Sequence, residues 1–368
     1  MSTNIYQIPH LPLPYELETV AVLRQLSSTN RKLAELKGIA HTIPNEDILI
    51  SSLALQEAKD SSAIENIVTT QDDLYRASVE KNAQLITPAA KEVFYYREAI
   101  YAGFARVRSQ KILTLNDIKQ IQQTLVQNTA GFRTTPGTQL KRSTDGAVIY
   151  TPPQDIMEIE RLMTNLEQFI NDDSLCSLDP LIKMAIIHHQ FESIHPFYDG
   201  NGRTGRIVNI LYLVLSGLLD IPVLYLSRYI THNKAEYYSL IQSIRNKNTD
   251  NAVEWEKWIL FMLVGVEQTA ADTIELVKQI GAIMDEFKFI MRPAFGSKYN
   301  HQLLNSLFYY PYTKIDHIAA NLQVSRPTAT KYLETLVSLQ LLEKSRVGRE
   351  NYYVNTRLYN LFVNYGNQ

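Results

Sequence analysis

Residues 195–206 read HPFYDGNGRTGR, and the rest of the chain is organised around them. A histidine, an acid, glycines, an asparagine and arginines lie together between two apolar segments. Upstream, residues 178–194 (LDPLIKMAIIHHQFESI) set Leu181, Ala185, His188 and His189 at three- and four-residue spacing, which predicts a helix. Downstream, residues 206–219 (RIVNILYLVLSGLL) are almost continuously apolar and predict a buried helix. Pro196 ends the first helix, because it has no N–H and its ring clashes with the turn before it. Gly200 and Gly202 let backbone amides approach an anion, and the second helix begins there with free N–H groups and the positive end of its dipole. In physical terms, helix, tight loop and helix make a phosphate site.

The side chains suggest roles. Arg203 and Arg206 lie one turn apart and can both reach the loop, and guanidinium forks suit phosphate oxygens. Asp199 stands at the loop entrance, where a carboxylate can hold a magnesium ion bridging two phosphates. His195 can take a proton near neutral pH. A structural loop with a satisfied histidine and surface arginines would explain any one of these groups, but not all of them at this spacing.

The stretch resembles the Fic family signature HPFx(D/E)GNGRxxR and matches it at every fixed position. The resemblance implies a mainly α fold: a Fic helical core with a β-hairpin flap, an N-terminal helical segment and, as a separate reading, a C-terminal winged helix-turn-helix. It also implies protein adenylylation, in which AMP moves from ATP to a Tyr, Ser or Thr hydroxyl of a target protein and pyrophosphate leaves. His195 would then be the general base and Asp199 the Mg2+ ligand. Gly200, Asn201 and Gly202 would line the anion hole, Arg203 would contact the phosphates, and Arg206 would hold the γ-phosphate. Thr204 and Gly205, inside the signature, belong to the same ATP-binding set.

Residues 61–66 (SSAIEN) look like a helix end with Asn66 as a left-handed cap. They also resemble the family's inhibitory motif (S/T)xxxE(G/N), with Ser61, Glu65 and Asn66 at the fixed positions. The resemblance implies that Glu65 pairs with Arg206, takes the γ-phosphate position and forces ATP into an unproductive pose. The Asp145-Gly146 pair predicts a hairpin, with Ala147, Val148, Ile149 and Tyr150 on its second strand. By resemblance, this hairpin is the flap that grips a target backbone as an added strand. Tyr238 and Tyr237 fall on a helical pattern over residues 227–245 and are candidates to pack near adenine, with a core role as the competing reading.

Composition bounds the alternatives. The chain has 368 residues, 45 % of them hydrophobic, which is enough for two or three cores. A net charge of −2 supplies no global attraction to nucleic acid or acidic membranes. The single cysteine, Cys176, excludes an internal disulfide and fits a reducing cytoplasm. Neither a signal pattern nor a membrane-length apolar run is present.

Further helices are predicted over residues 17–36, 46–61, 89–107, 116–125 (capped by Thr114) and 155–169. Trp255 and Trp258 read as packing anchors on a helix over 253–266, which runs on to 287. Residues 301–309, 315–322 (capped by Thr313) and 326–339 (capped by Ser325) predict helices, followed by strands at 341–344 and 351–354 around a loop with Gly348. That order reads as a winged helix-turn-helix. Its net charge of +3 between residues 311 and 357 is only mildly basic, and Lys344, Arg346 and Arg349 on the wing could contact phosphates.

The expected organisation is an N-terminal helical region over 1–105, a Fic core over 106–270, a connector over 271–295 and the winged helix over 296–368. Candidate partners are ATP, a target protein, DNA through the winged helix and a second copy of the chain, with no membrane. Two alternatives stand: a nucleotide-sensing DNA-binding regulator, and an enzyme of the same fold moving UMP, phosphate or phosphocholine.

Overall fold

Apolar residues recur at helical spacing along most of the chain, and the computed structural model is accordingly helical with two small sheets among its described residues. The structure describes residues 6–79, 86–142, 145–246, 251–347 and 350–367. The first part runs through α1 (Val20–Ala40), α2 (Glu46–Ile64), α3 (Gln71–Ser78), α4 (Pro88–Gln110) and α5 (Leu115–Val126). A hairpin of β1 (Leu140–Lys141) and β2 (Val148–Tyr150) follows. Next come α6 (Ile156–Asn171), α7 (Pro180–Ile194), α8 (Asn201–Leu215), α9 (Ser227–His232), α10 (Lys234–Ile244) and α11 (Asn251–Phe295). The last part holds α12 (His301–Ser306), β3 (Tyr312–Thr313), α13 (Ile315–Leu322), α14 (Arg326–Ser338), β4 (Glu343–Val347), β5 (Glu350–Val354) and α15 (Thr356–Asn367).

The chain forms two compact units. The first comprises Met1–Ala34, Asp60–Asn66 and Tyr95–Ala270. Its centre is the α7–α8 pair, against which α5 and α6 pack. Asp179 starts α7 by accepting from the Leu181 N–H, with Pro180 tolerated where no helical donor is needed. Thr114 starts α5 in a reciprocal capping box with Asp117. Trp255 and Trp258 are buried as expected, and the Trp258 indole N–H donates to the Ala185 carbonyl at 2.8 Å. Near the N-terminus, Leu11 exchanges two hydrogen bonds with the Asn165 amide, at 2.8 and 2.9 Å, holding an extended segment onto α6.

The second unit comprises Glu35–Lys59, Ile67–Phe94 and Ala271–Gln368. There α13 and α14 pack together through a turn with Gln323 in the left-handed region (φ 53°), and Ser325 caps α14 from its hydroxyl. The sheet has the order β3-β5-β4, antiparallel throughout, with Tyr312 and Glu343 both opposite Val354. Gly348 and Arg349, at the tip between β4 and β5, lie outside the described residues.

Several boundaries differ from expectation. Thr313 caps nothing, because it belongs to β3 and faces Tyr353 across the sheet, and α13 starts from Lys314 without a side-chain cap. The pattern over 227–245 is two helices, since Asn233 (φ −112°, ψ 30°) leaves helical geometry between α9 and α10. The helix expected over 253–266 and on to 287 is continuous, and it starts earlier and ends later, as the 45-residue α11. The strands after α14 begin or extend further than the sequence suggested, and α15, with Leu358 and Phe362 buried, was not anticipated. No described helix is long and apolar enough to cross a membrane.

Candidate active site

The loop between α7 and α8 is shaped by short-range bonds. His195 caps α7 in the left-handed region (φ 49°, ψ 58°), its N–H donating to the Phe191 carbonyl at 2.9 Å. Phe197 is fully buried against Phe132 and Phe191. Asn201 then pins the loop from both sides: its Oδ1 accepts from the Phe197 N–H and its Nδ2 donates to the Phe197 carbonyl, each at 2.8 Å. The Asn201 side chain is therefore spent on shaping the loop, and only its backbone remains to face an anion. Gly200 (φ 78°) is needed because a β-carbon there would stand 2.8 Å from Val126. The first turn of α8 leaves its N–H groups without helical acceptors at this loop.

Arg133, which the sequence reading did not single out, holds the loop from outside. Its Nε donates to the His195 carbonyl at 2.8 Å, its guanidinium also reaches the Ile194 and Pro153 carbonyls, and its backbone N–H donates to Pro196. Its place in the GFRTTPG stretch before the hairpin carried no signal on its own.

The His195 ring is half-buried. Burial, together with the Arg245 and Arg133 charges, lowers its pKa to about 4, so the imidazole is neutral and able to accept a proton at neutral pH. Asp199 is exposed at the loop mouth, with one carboxylate oxygen 2.6 Å from the Gly200 N–H and 3.6 Å from the buried Arg203 guanidinium. Thr204 is fully buried, and a β-carbon at Gly205 would stand 3.0 Å from Phe191. These two positions thus serve the packing of α8 on α7.

Arg206 points the other way, onto the end of α2. Its Nε donates to the Ser61 hydroxyl at 2.8 Å, and a terminal nitrogen donates to the Ser61 carbonyl and to Glu65 Oε1, both at 3.0 Å. Burial pushes the Glu65 carboxyl up, but the Arg206 charge and hydrogen bond outweigh it and hold the carboxyl below its ordinary value. Gly202 makes room for this pair, since a β-carbon there would lie 2.6 Å from Glu65 Oε1. Asn66 ends the turn in the left-handed region (φ 64°). Two further cations hold the same helix end: Lys234 donates to the Ile64 carbonyl at 2.8 Å, and Arg228 lies 3.5 Å from Asp60.

Glu192 is another group the sequence reading passed over. Burial raises its pKa to about 7 against the opposing Arg206 charge, and its Oε1 has no hydrogen-bond partner. It is the one acid within residues 180–194, three residues before His195, and that was the available signal.

The tyrosine candidates divide. Tyr237 is buried with its hydroxyl 2.7 Å from His188 Nε2, so it follows the core alternative. Tyr238 is 40 % exposed, and burial together with the Glu65 charge pushes its hydroxyl up to about 12. In the hairpin, Ala147, Val148 and Ile149 are exposed. Tyr150 turns inward instead, donating to the Ser193 carbonyl at 2.7 Å under the Arg245 guanidinium, so it anchors the hairpin rather than presenting a surface.

In the second unit, four basic residues are engaged with acids: Lys314 with Glu350, Arg326 with Asp316, Lys344 with Glu334 and Arg357 with Glu286.

Residues 23–105 match the description "Fic/DOC family N-terminal", residues 112–213 "Fic/DOC family", and residues 283–358 "Protein adenylyltransferase SoFic-like, C-terminal domain". Among curated proteins, the chain is 35 % identical over 94 residues to protein adenylyltransferase fic-1 of Caenorhabditis elegans, covering 24 % of this chain and only 16 % of that relative. A probable protein adenylyltransferase of Aquifex aeolicus is 35 % identical over 86 residues, covering 23 % of this chain and 26 % of the relative. Among solved structures, a Fic family protein from Desulfovibrio desulfuricans superposes with a TM-score of 0.57 at 18 % identity, covering 93 % of this chain and 98 % of that one. Fic-1 from C. elegans gives a TM-score of 0.53 at 20 % identity over 70 % of this chain and 73 % of that one. At these identities the structural likeness speaks for the fold.

Proposed function

Because the chain belongs to the Fic/DOC family, we propose that it is a protein adenylyltransferase, moving AMP from ATP to a side-chain hydroxyl of a target protein and restrained by Glu65. The observation that carries this reading is the Arg206 guanidinium, buried at the foot of the signature loop and bonded to Ser61 and Glu65. A buried cation beside free helix N–H groups is a place for a terminal phosphate, and a carboxylate now occupies it.

In the reaction, the target hydroxyl oxygen forms a bond to the α-phosphorus, the bond from that phosphorus to the bridging oxygen breaks, and pyrophosphate leaves. The neutral His195 imidazole receives the hydroxyl proton. The amides of Gly200, Asn201 and Gly202 and the Arg203 guanidinium neutralise the phosphates, with Asn201 and Arg133 keeping the loop in shape. Positioning and charge supply most of the acceleration. Asp199 fits magnesium: it is an exposed carboxylate at the loop mouth. That suits an ion held by one side chain and by substrate phosphates. Bound there, magnesium would offset phosphate charge. The exposed Val148 and Ile149 support the flap as the docking strand for the target, and Tyr238 supports the adenine contact.

We read residues 1–105, 106–270, 271–295 and 296–368 as an N-terminal helical region with the inhibitory helix, the Fic core, a helical connector and a winged helix-turn-helix. The ion pairs of the last region favour a protein partner over DNA, because paired cations have less to offer phosphates.

The test is incubation with ATP labelled at the α-phosphate, with and without cell extract, for wild type, Glu65→Gly and His195→Ala. Glu65→Gly should raise the labelling of protein and His195→Ala should abolish it. Equal labelling in all three rejects the enzymatic reading in favour of a nucleotide sensor. Competition by UTP or CTP in place of ATP would assign another transferred group.

A further inference from the structure

The second unit holds a cavity of about 440 Å³ at the entrance to α2, along α12, the 309–312 segment and α13. That size falls within the roughly 300–1,000 Å³ of small-ligand sites. Tyr309, Tyr310 and Tyr312 supply aromatic surface, and Asn45, Asn305 and Asn321 supply side-chain amides. Among its lining residues there is no Asp, Glu, Lys or Arg, and His317 is the one group able to carry charge near neutral pH.

The walls are set in advance. The Asn45 amide donates to the Tyr309 hydroxyl at 2.8 Å while its own oxygen accepts from the Asp47 N–H at 3.0 Å. The Tyr312 ring stacks on Tyr75 (centroids 6.2 Å apart, 15° between planes), and its hydroxyl donates to Asp72. Gln302 donates to the Asn321 carbonyl, and Ser306 donates to the Gln302 carbonyl at 2.8 Å. Asn305 differs: among the described residues its side-chain amide makes no hydrogen bond, though it lines the cavity.

A lining without fixed charge does not suit a phosphate, a carboxylate or a metal ion, and its polar groups do not suit a lipid. Phenol rings offer flat faces to a planar ring, and a side-chain amide offers a paired donor and acceptor that match the edge of a nucleobase. We infer that this cavity binds a neutral nucleoside, with the Asn305 amide reading the base edge and the half-buried Tyr309 and Tyr310 rings holding the base face.

The experiment is calorimetric titration of the full chain with adenosine, guanosine, cytidine and uridine, and separately with methyl glucoside as a neutral sugar. At least one nucleoside should bind saturably below about 1 mM. Asn305→Ala should weaken that binding about tenfold or more, since a two-point contact to a base is lost. Asn305→Asp, which keeps the size but removes the donor, should weaken it similarly and serves if the alanine variant melts early. The inference is overturned if no nucleoside binds up to about 10 mM, if only the sugar binds, or if both Asn305 variants bind the nucleoside as wild type does. The last outcome would move any nucleoside binding to another site on the chain without bearing on adenylyl transfer.

Discussion

Glu65→Gln keeps the shape of the inhibitory side chain and removes its charge. Arg206 retains both contacts with Ser61, at 2.8 and 3.0 Å, so the change falls on the single Arg206–Glu65 contact at 3.0 Å. A hydrogen bond to a charged group contributes roughly 1.5–3 kcal/mol in mutational series. The Arg206 side chain is 3 % exposed but that of Glu65 is 38 %, so water screens part of the attraction. Screening at a half-exposed partner brings the figure to about 1–2 kcal/mol. If Glu65 and the triphosphate compete for Arg206, the substitution should tighten ATP by about five- to thirtyfold. The assay is calorimetric titration with ATP and magnesium, run beside labelling with α-labelled ATP. Affinity within twofold of wild type, in a variant with unchanged thermal melting, would refute the idea that this carboxylate excludes the terminal phosphate. Acidification probes the same contact. The Glu65 pKa is lowered in the folded chain, so its contribution is present above the ordinary carboxylate value of 4.5 and is lost as pH falls through the lowered one.

Lys234→Met keeps the aliphatic stem but removes the donor to the Ile64 carbonyl, so labelling should rise a few-fold while the melting temperature barely moves; unchanged labelling would show that Lys234 does not restrain the end of α2. Asn201→Ala strands the buried N–H and carbonyl of Phe197 and should cost about 2–4 kcal/mol, read from the denaturant midpoint, with labelling largely lost. Glu192→Gln should stabilise the chain relative to wild type increasingly between pH 4.5 and about 7, because a carboxyl whose folded pKa is raised loses stability as pH rises through that window. A pH-independent difference in unfolding free energy would contradict the burial of that carboxyl. Conversely, the lowered pKa of His195 should make wild type less stable, relative to His195→Ala, as pH falls from 6.5 towards 4, which thermal melting across that range would detect.

Much of the local structure was legible because it depends on neighbours in the chain. Pro196 had to end α7, Gly200 had to open α8, and Thr114 and Ser325 did start their helices, since each effect acts within one turn. Thr313 failed as a cap for the opposite reason: β5, about forty residues later, claims it for a sheet. The break at Asn233 was equally hard to see, because two helices with continuous apolar spacing look like one.

By itself, the sequence determined the chemical inventory of the loop: an imidazole, a carboxylate, two guanidiniums and glycines in a fixed order on a helix–loop–helix. Tertiary structure decided how each group is used. It spent the Asn201 side chain on Phe197, turned Tyr150 and Tyr237 inward, recruited Arg133 to brace the loop, and laid the end of α2 over Arg206. The physical reason is range: dihedral preferences and helical spacing are set by adjacent residues, whereas the partner of a buried charge depends on which distant faces meet when the core closes.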